Sequence, residues 1–198
     1  MNFKKRFLER PLSWSQLSSF EWDKNQWHVR YILNAPTLTT PEMEFGKLVG
    51  EKLANDETFL PSVPRLKKFE VKLEARFGKI PLIGFLDTAD SVQNRFDEYK
   101  TGKKGKNEWS QKKVDNHGQI DMYLLMLYLT HKVRPEDMNV ALHWLPTVKN
   151  EEGIIALIEP FYFKTFETKR TLNQILQFGV RINRAVAEME KFCESMKW

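Results

Sequence analysis

The sequence predicts an α/β or α+β fold in which helices flank a mixed sheet of about five strands. Apolar and charged residues alternate over 69–77, which is the two-residue repeat of a half-buried strand. Gly78 and Lys79 then lead into a second apolar run, as in a hairpin. Apolar residues recur at helical spacing before this region and at the end of the chain. The predicted element order is ααβββαββα, in one domain spanning residues 1–198.

Two helices are predicted ahead of the sheet. Ser13 and Gln16 have the spacing of a capping box, and apolar residues follow at helical intervals to about residue 33. Residues 35–41 contain two prolines and three threonines and are expected to connect this helix to a second one at 42–55.

The remaining elements follow from changes in the period of the apolar residues. The strands are predicted at 69–77, 80–89, 96–100, 140–144 and 154–163. One helix is predicted at 110–132, between the third and fourth strands, and a long helix at 168–196 ends the chain.

Composition excludes several classes of protein. Of the 198 residues, 41% are apolar and 29% are charged, as is usual for a globular domain. The single cysteine, Cys193, excludes a disulfide framework and a cysteine-based metal site. No apolar run approaches the ~20 residues of a membrane span. The sequence therefore predicts a cytoplasmic protein with no membrane partner.

Charge indicates a polyanionic partner without requiring one. Lys and Arg number 31 against 26 Asp and Glu, which leaves a net charge of +5. Basic residues gather at 4–10 and in the segment 101–113, which also contains two glycines. This segment is either a solvated lysine loop or a surface for a polyanion.

The second predicted hairpin carries an acidic pair and a lysine. Asp87 ends one strand, and Glu98 and Lys100 lie two residues apart on the next, so a short turn can bring them together. Mg²⁺ or Mn²⁺ would stabilise two such carboxylates, because both cations prefer oxygen ligands. The cation would polarise a phosphoryl oxygen, and Lys100 would orient the attacking hydroxide. The alternative is a cross-strand salt bridge on a solvated face.

Gln119 and Tyr123 are four residues apart on the following helix and share one of its faces. An amide and a phenol can hydrogen-bond a phosphate or water without competing for a metal. The alternative is a tyrosine in the core with a glutamine at its boundary.

These motifs in this order resemble the PD-(D/E)XK nuclease superfamily, and within it the RecB-like and lambda-exonuclease-like branch. The matching segments are LSWSQL at 12–17, GFLD at 84–87, EYKTG at 98–102 and Gln119 with Tyr123 as Q-x-x-x-Y. The resemblance implies a restriction-endonuclease-like core and an Mg²⁺- or Mn²⁺-dependent deoxyribonuclease. It assigns catalysis to five residues: Asp87, Glu98, Lys100, Gln119 and Tyr123.

The resemblance also implies a metal site with one departure from the family pattern. Asp87, Glu98 and the backbone carbonyl of Tyr99 are the expected ligands. The branch usually carries G-x-x-x-H, or Glu at the His position, on the preceding helix, whereas residues 46–50 here read GKLVG and end in glycine. Glu51 is either a substitute ligand or an exposed helical glutamate. Iron–sulfur members need four cysteines, and this chain has one.

The implied partner is DNA, bound through its backbone without sequence preference. The residues expected to contact it are Lys103, Lys104, Lys106, Trp109, Lys112 and Lys113, together with the amino-terminal lysines. Trp109 is also a candidate for core packing.

Family habit favours an exonuclease acting on DNA ends in recombination or repair, in a phage or mobile element, alongside a recombination or replication protein. Two alternatives remain open: a catalytically weakened DNA-binding or assembly protein, and a site-specific endonuclease.

Three further polar residues are expected to lie outside the site. His117 is expected at a polar boundary, Asp90 in a turn, and Asp97 on an outer face.

Overall fold

The computed structural model describes residues 10–36, 38–105 and 108–196. A six-stranded mixed sheet is flanked by helices on both faces, which confirms the predicted fold class. The described helices are α1 (Trp14–Trp22), α2 (Lys24–Trp27), α3 (Pro41–Asn55), α4 (Gln111–Asp115), α5 (Gly118–His131) and α6 (Leu172–Ser195). The strands are β1 (Lys68–Phe77), β2 (Ile80–Asp90), β3 (Arg95–Lys103), β4 (Asn139–Lys149), β5 (Ile155–Leu157) and β6 (Lys164–Thr168).

The sheet runs in the order β1-β2-β3-β4-β5, with β6 also paired to β4. Strands β3 and β4 are parallel, and α4 and α5 make the crossover between them. The other strand pairs are antiparallel. Both short strands lie along β4, β6 near its start and β5 near its end.

Strands β2 and β3 separate soon after their turn. They pair only through Thr88 with Asp97, Ala89 with Phe96, and Asp90 with Arg95. β3 continues beside β4 as far as Lys103, while β2 continues beside β1. The sheet therefore opens between β2 and β3 at the level of Asp87.

Two apolar clusters hold the layers together. The larger includes side chains from α1, α5 and α6 and from one face of the sheet, among them Leu17, Met122 and Ile182. The smaller joins Val49 and Leu53 of α3 to Leu145 of β4. Helix α3 thus covers the face opposite α5. No helix within the described ranges has both the length and the apolar character needed to cross a membrane.

The first predicted helix is divided in the structure. α1 ends at Trp22, and the Asp23 side chain accepts hydrogen bonds from the N–H groups of Asn25 and Gln26 to begin α2. A π-helical turn, His28–Ile32, follows. Asp23 ends one helix and caps the next because its carboxylate satisfies N–H groups that have no partner within the helix.

Three other predicted boundaries are wrong. The helix predicted at 110–132 breaks between α4 and α5, where His117 adopts an extended backbone as the N-terminal cap of α5. The strand predicted at 154–163 forms only at 155–157, as β5, and β6 lies beyond the predicted range at 164–168; each pairs with a different part of β4. The last helix begins at Leu172, since Thr168 belongs to β6 and Thr171 with Gln174 forms a capping box.

Candidate active site

Asp87 bridges the gap where β2 and β3 separate. Its Oδ2 accepts a hydrogen bond of 2.8 Å from the backbone N–H of Tyr99. This N–H lies on the part of β3 that no longer pairs with β2, so the carboxylate satisfies a donor that the sheet leaves free. The contact joins the end of the GFLD segment to the middle of EYKTG.

Glu98 is fully buried beside Asp87. Its Oε2 accepts hydrogen bonds from Lys100 Nζ at 3.1 Å and from Gln119 Nε2 at 2.9 Å. Burial raises the pKa of Glu98 to about 8; the Lys100 ammonium opposes this rise, and the negative charge of Asp87 adds to it. Oε1 of Glu98 is buried and has no hydrogen-bond partner in the structure.

Lys100 forms an ion pair with Glu98 and also lines a cleft between the sheet and α3. Burial alone would lower the pKa of Lys100, but the negative charges of Glu98 and Asp87 outweigh it and hold the pKa above its usual value. The lysine is therefore a cation at neutral pH, suited to stabilising negative charge rather than to acting as a free base.

Gln119 and Tyr123 form the wall of the site on α5. Gln119 Nε2 donates to Tyr123 Oη at 2.8 Å as well as to Glu98, so the amide connects the phenol to the carboxylate. Burial, together with the charge of Glu98, raises the pKa of Tyr123 above its usual value. A Cβ at Gly84 would lie 2.5 Å from Tyr123 Cε1. The glycine of GFLD therefore leaves the space in which the tyrosine ring packs against β2.

A cleft of about 530 Å³ opens between α3 and the strands. Asp87, Tyr99 and Lys100 line its sheet side, and Gly50 and Glu51 line its helix side. A Cβ at Gly50 would meet no heavy atom within 4 Å, so the cleft has free space at this position. Glu51 is exposed and forms an ion pair with Lys47 at 3.5 Å.

The donor set of this site suits a hard divalent cation. Asp87 and Glu98 supply carboxylate oxygens, and Glu98 Oε1 is a buried oxygen without a partner, which is costly unless a cation or a proton occupies it. Among the described residues no group of three His, Cys, Asp or Glu side chains is placed to hold a metal ion. Asp87 and Glu98 are therefore only a pair, and a cation between them would need water or substrate oxygens as its other ligands.

The residues expected to contact DNA are mostly exposed where the structure describes them. Lys103, Lys104, Lys112 and Lys113 are exposed, and Lys106 lies outside the described residues, as do the basic residues before Arg10. Trp109 is half-buried and packs edge-on against His117, with ring centroids 4.9 Å apart.

Two sequence expectations need correction. Asp97 is fully buried rather than on an outer face. Its carboxylate accepts a hydrogen bond from Arg95 Nε at 2.8 Å and contacts Nε2 of His143, on β4, at 3.0 Å, and these contacts compensate for the burial. His117, by contrast, is half-buried as expected of a boundary position; it lies between Trp14 and Trp109, where burial and the charges of Lys100 and Arg170 lower its pKa to about 4. Asp90 is not in the turn but is the buried last residue of β2, and its carboxylate accepts a hydrogen bond from the N–H of Val92 in the turn that follows.

Sequence reasoning missed Glu70, which lines the cleft beside Asp87. It falls on a charged position of an alternating strand, and nothing in its pattern distinguishes it from the neighbouring glutamates and lysines. Its backbone has φ of +50°, which no sequence signal at this position indicates.

A comparison with protein-family models decides which family this is. The model described as the PD-(D/E)XK nuclease superfamily matches residues 50–194. The chain belongs to this superfamily. The match includes the GFLD, EYKTG and Q-x-x-x-Y segments, so the superfamily predicted from them is confirmed. No curated protein matches the sequence.

Solved structures of exonucleases share the fold of this PD-(D/E)XK protein. A phage-related exonuclease from Haemophilus somnus 129PT is 10% identical with a TM-score of 0.58, covering 98% of this chain and 93% of that one. An alkaline exonuclease from Laribacter hongkongensis is 10% identical with a TM-score of 0.55, covering 98% and 94%. The Laribacter enzyme in complex with dAMP is 11% identical with a TM-score of 0.54, covering 98% and 96%.

Proposed function

We propose that this PD-(D/E)XK protein is an Mg²⁺- or Mn²⁺-dependent deoxyribonuclease that hydrolyses phosphodiester bonds at DNA ends. The observation that carries the proposal is the buried cluster in which Glu98 contacts both Lys100 and Gln119 beside Asp87. A salt bridge on a solvated face would leave these groups in water, whereas here the carboxylate of Glu98 is fully buried. A buried ionisable group with a strongly displaced pKa is typical of functional sites.

Each residue of the cluster then has a role. Asp87, Glu98 and the Tyr99 carbonyl would hold the cation, which supplies the charge that polarises a phosphoryl oxygen and activates water. Lys100, a permanent cation at neutral pH, stabilises the negative charge that develops on the attacked phosphate. Gln119 holds the Glu98 carboxylate in place and is itself supported by Tyr123.

Action on DNA is supported by the similar solved structures and by exposed lysines of the chain, and action at its ends by the exonuclease descriptions of those structures. Two of the similar structures are described as exonucleases, and one was determined in complex with dAMP, a nucleoside monophosphate. The exposed lysines of residues 101–113 would hold the DNA backbone irrespective of sequence. A recombination or replication protein remains a proposed partner on family habit alone.

The test is degradation of linear duplex DNA in Mg²⁺, in Mn²⁺ and in EDTA. We expect progressive shortening that requires the cation, and a loss of about 100-fold or more in Lys100→Ala and Asp87→Asn. Lys79→Ala, which removes an exposed lysine from the β1–β2 turn, is the matched control and should retain full activity. Equal rates with and without EDTA, or an unaffected Lys100→Ala, would refute the proposal.

Closed circular DNA separates the remaining alternatives. An exonuclease leaves it intact, whereas a site-specific endonuclease produces discrete fragments. Gly50 favours the second candidate function, a DNA-binding protein with weakened catalysis, because the α3 side of the cleft has no ligand there. That candidate predicts retained DNA binding with no shortening in either cation.

A further inference from the structure

Phe85 is a large apolar residue that remains exposed on the strand of Asp87. Its exposed fraction is 52%, whereas its neighbours Gly84 and Leu86 are buried on the side of the sheet that faces α5. Alternate residues of a strand share a face, so Phe85 lies on the same side of the sheet as Asp87, which lines the cleft. The Cα atoms of two such residues are about 7 Å apart along the strand, a distance that one nucleotide can span.

The Phe85 ring lies on a part of the sheet face that the neighbouring elements leave open. β3 pairs with β2 only as far as Thr88 with Asp97, and α3 packs on β3 and β5 instead. The ring belongs to neither apolar cluster, and no contact of Phe85 with another ring or with a cation is present among the described residues. Lys72 lies directly opposite on β1, but its ammonium is 2.7 Å from Glu74. The ring therefore faces solvent, which is an unfavourable surrounding for apolar surface.

The strand beneath the ring holds Phe85 in a fixed place. From Val71 with Leu86 to Phe77 with Ile80, β1 and β2 pair residue by residue without interruption. On the opposite face Leu86 is buried in the larger cluster. An aromatic side chain has only two rotatable torsions, so little conformational freedom is lost when a ligand covers it. Phe85 is thus a preorganised apolar platform next to Asp87.

The size and surroundings of this platform fit one flat ring better than a protein surface. A fully buried aromatic side chain removes about 150–250 Å² from water, so the exposed half of Phe85 offers only about 100 Å². A stable protein interface buries about 800 Å² on each partner. The β1 residues on the same face are charged and exposed: Glu70, Lys72, Glu74 and Arg76. No contiguous apolar patch surrounds the ring in the described part of β1.

We propose that Phe85 stacks on an unpaired base of the DNA strand whose phosphate lies at Asp87. This inference rests on the proposed function, since it concerns the substrate of the same site. A base inside a duplex is already stacked on both faces, so Phe85 receives a base only where an end has frayed or one strand is single. Stacking is tolerant of sequence because every base has a flat π-face. Phe85 thereby favours DNA ends over the interior of a duplex.

The experiment measures how tightly the intact chain binds a hairpin duplex that ends in a short single-stranded overhang. Fluorescence anisotropy is recorded in EDTA at low salt, with overhangs of both polarities, and the more tightly bound polarity is used for the variants. Phe85→Ala should weaken binding about 5- to 100-fold, the range expected for the loss of one base–aromatic stack. Phe85→Trp should retain the affinity of the wild type. Phe85→Leu, which is apolar but has no ring, should bind as weakly as Phe85→Ala.

An abasic overhang distinguishes stacking from any other effect of the substitution. It keeps the sugars and phosphates but has no bases, so the wild type should bind it more weakly and Phe85→Ala should bind it as the wild type does. Trp22→Ala is the matched control, because Trp22 is an aromatic residue at the end of α1 that is 89% exposed. It should bind both overhangs with wild-type affinity. All variants should unfold at the urea concentration of the wild type, since exposed side chains contribute little to stability.

Wild-type affinity in Phe85→Ala would overturn the inference, as would equal weakening on overhangs with and without bases or equal weakening in Trp22→Ala. If the wild type still degrades DNA in Mg²⁺ or Mn²⁺, any of these results leaves the proposed nuclease in place and removes Phe85 from it. Base-dependent weakening in Phe85→Ala, in a chain that shortens no DNA, supports the stack and refutes the proposed hydrolysis. A wild-type chain that binds neither overhang contradicts both.

Discussion

Glu98 is subject to two opposite influences on its ionisation. Burial removes water from the carboxylate and raises its pKa to about 8, whereas the adjacent Lys100 ammonium favours the charged form. A divalent cation at the same carboxylate would favour the charged form further. The residue therefore holds a proton in the metal-free protein at neutral pH and releases it when a cation binds.

The stability of the metal-free protein should consequently decrease as the pH rises. Between the pKa of the unfolded chain, near 4.5, and the folded value near 8, the folded state holds a proton that the unfolded chain has released. The free energy of unfolding should fall by about 1 kcal/mol per pH unit in this range. Glu98→Gln should remove this slope and be the more stable protein at pH 8.

Urea unfolding in EDTA at pH 5, 6, 7 and 8 measures this slope. Glu74→Gln is the control, because its side chain is exposed and its removal should leave the slope unchanged. The same slope in Glu98→Gln and the wild type would show that another group causes it.

Helix α5 is positioned by close contacts at its amino-terminal end. Gly118 begins the helix, and a Cβ there would overlap the indole ring of Trp14 from α1. Gln119 follows directly, so the distance between α1 and α5 sets where its amide meets Glu98. Gly179 plays a similar part in α6, where a Cβ would lie 2.6 Å from Cζ of Phe77.

Gly118→Ala and Gly179→Ala form a matched pair that tests this point. Both should reduce the free energy of unfolding by about 1–3 kcal/mol, since each added methyl forces a packed aromatic ring to move. Only Gly118→Ala should also slow DNA degradation, because the added methyl displaces Gln119. Gly179 packs instead against Phe77 at the end of β1, which is not a residue of the proposed site. Stability comes from chemical denaturation, and activity from initial rates at a temperature where both variants are folded. Equal activity in the two variants would show that the α1–α5 spacing does not control the site.

Over the whole molecule, the positive charge of +5 is distributed unevenly. Exposed lysines follow β3 directly, so the strand that carries Glu98 and Lys100 continues into the basic segment. DNA held there would lie next to the strand that carries the proposed site. Affinity that depends on phosphate contacts decreases as salt rises, because binding releases counterions from the DNA.

Replacing Lys103, Lys104, Lys112 and Lys113 by glutamine should weaken DNA binding and flatten its salt dependence. The slope of log K against log salt should decrease by about one for each lysine that contacts a phosphate. Fluorescence anisotropy with labelled duplex at several salt concentrations measures it. A variant with Lys72, Lys79, Lys132 and Lys191 replaced loses the same net charge and should keep the wild-type slope. Equal losses in the two variants would mean that net charge alone, rather than this segment, binds the DNA.

The sequence by itself determined the fold class and predicted which residues would lie near one another around Asp87 and Glu98. Alternation of apolar and charged residues with a period of two identified β1. The short turn between the strands of Asp87 and Glu98 predicted that these two residues lie on one hairpin, because the register of a hairpin decides which residues face each other. The helical spacing of Gln119 and Tyr123 likewise placed both on one face. Such features depend on neighbours within a few residues, and the local pattern is sufficient to predict them.

Only the tertiary structure decided the features that depend on distant parts of the chain. Pairing with β4 limited the fifth predicted strand to β5 and added β6 beyond it, and burial against β4 placed Asp97 in the interior beside His143. The separation of β2 from β3 and the position of α3 created the cleft, and the strained backbone of Glu70 lies at its edge. These outcomes follow from how whole elements pack, since the free energy that fixes them is shared among contacts far apart in sequence.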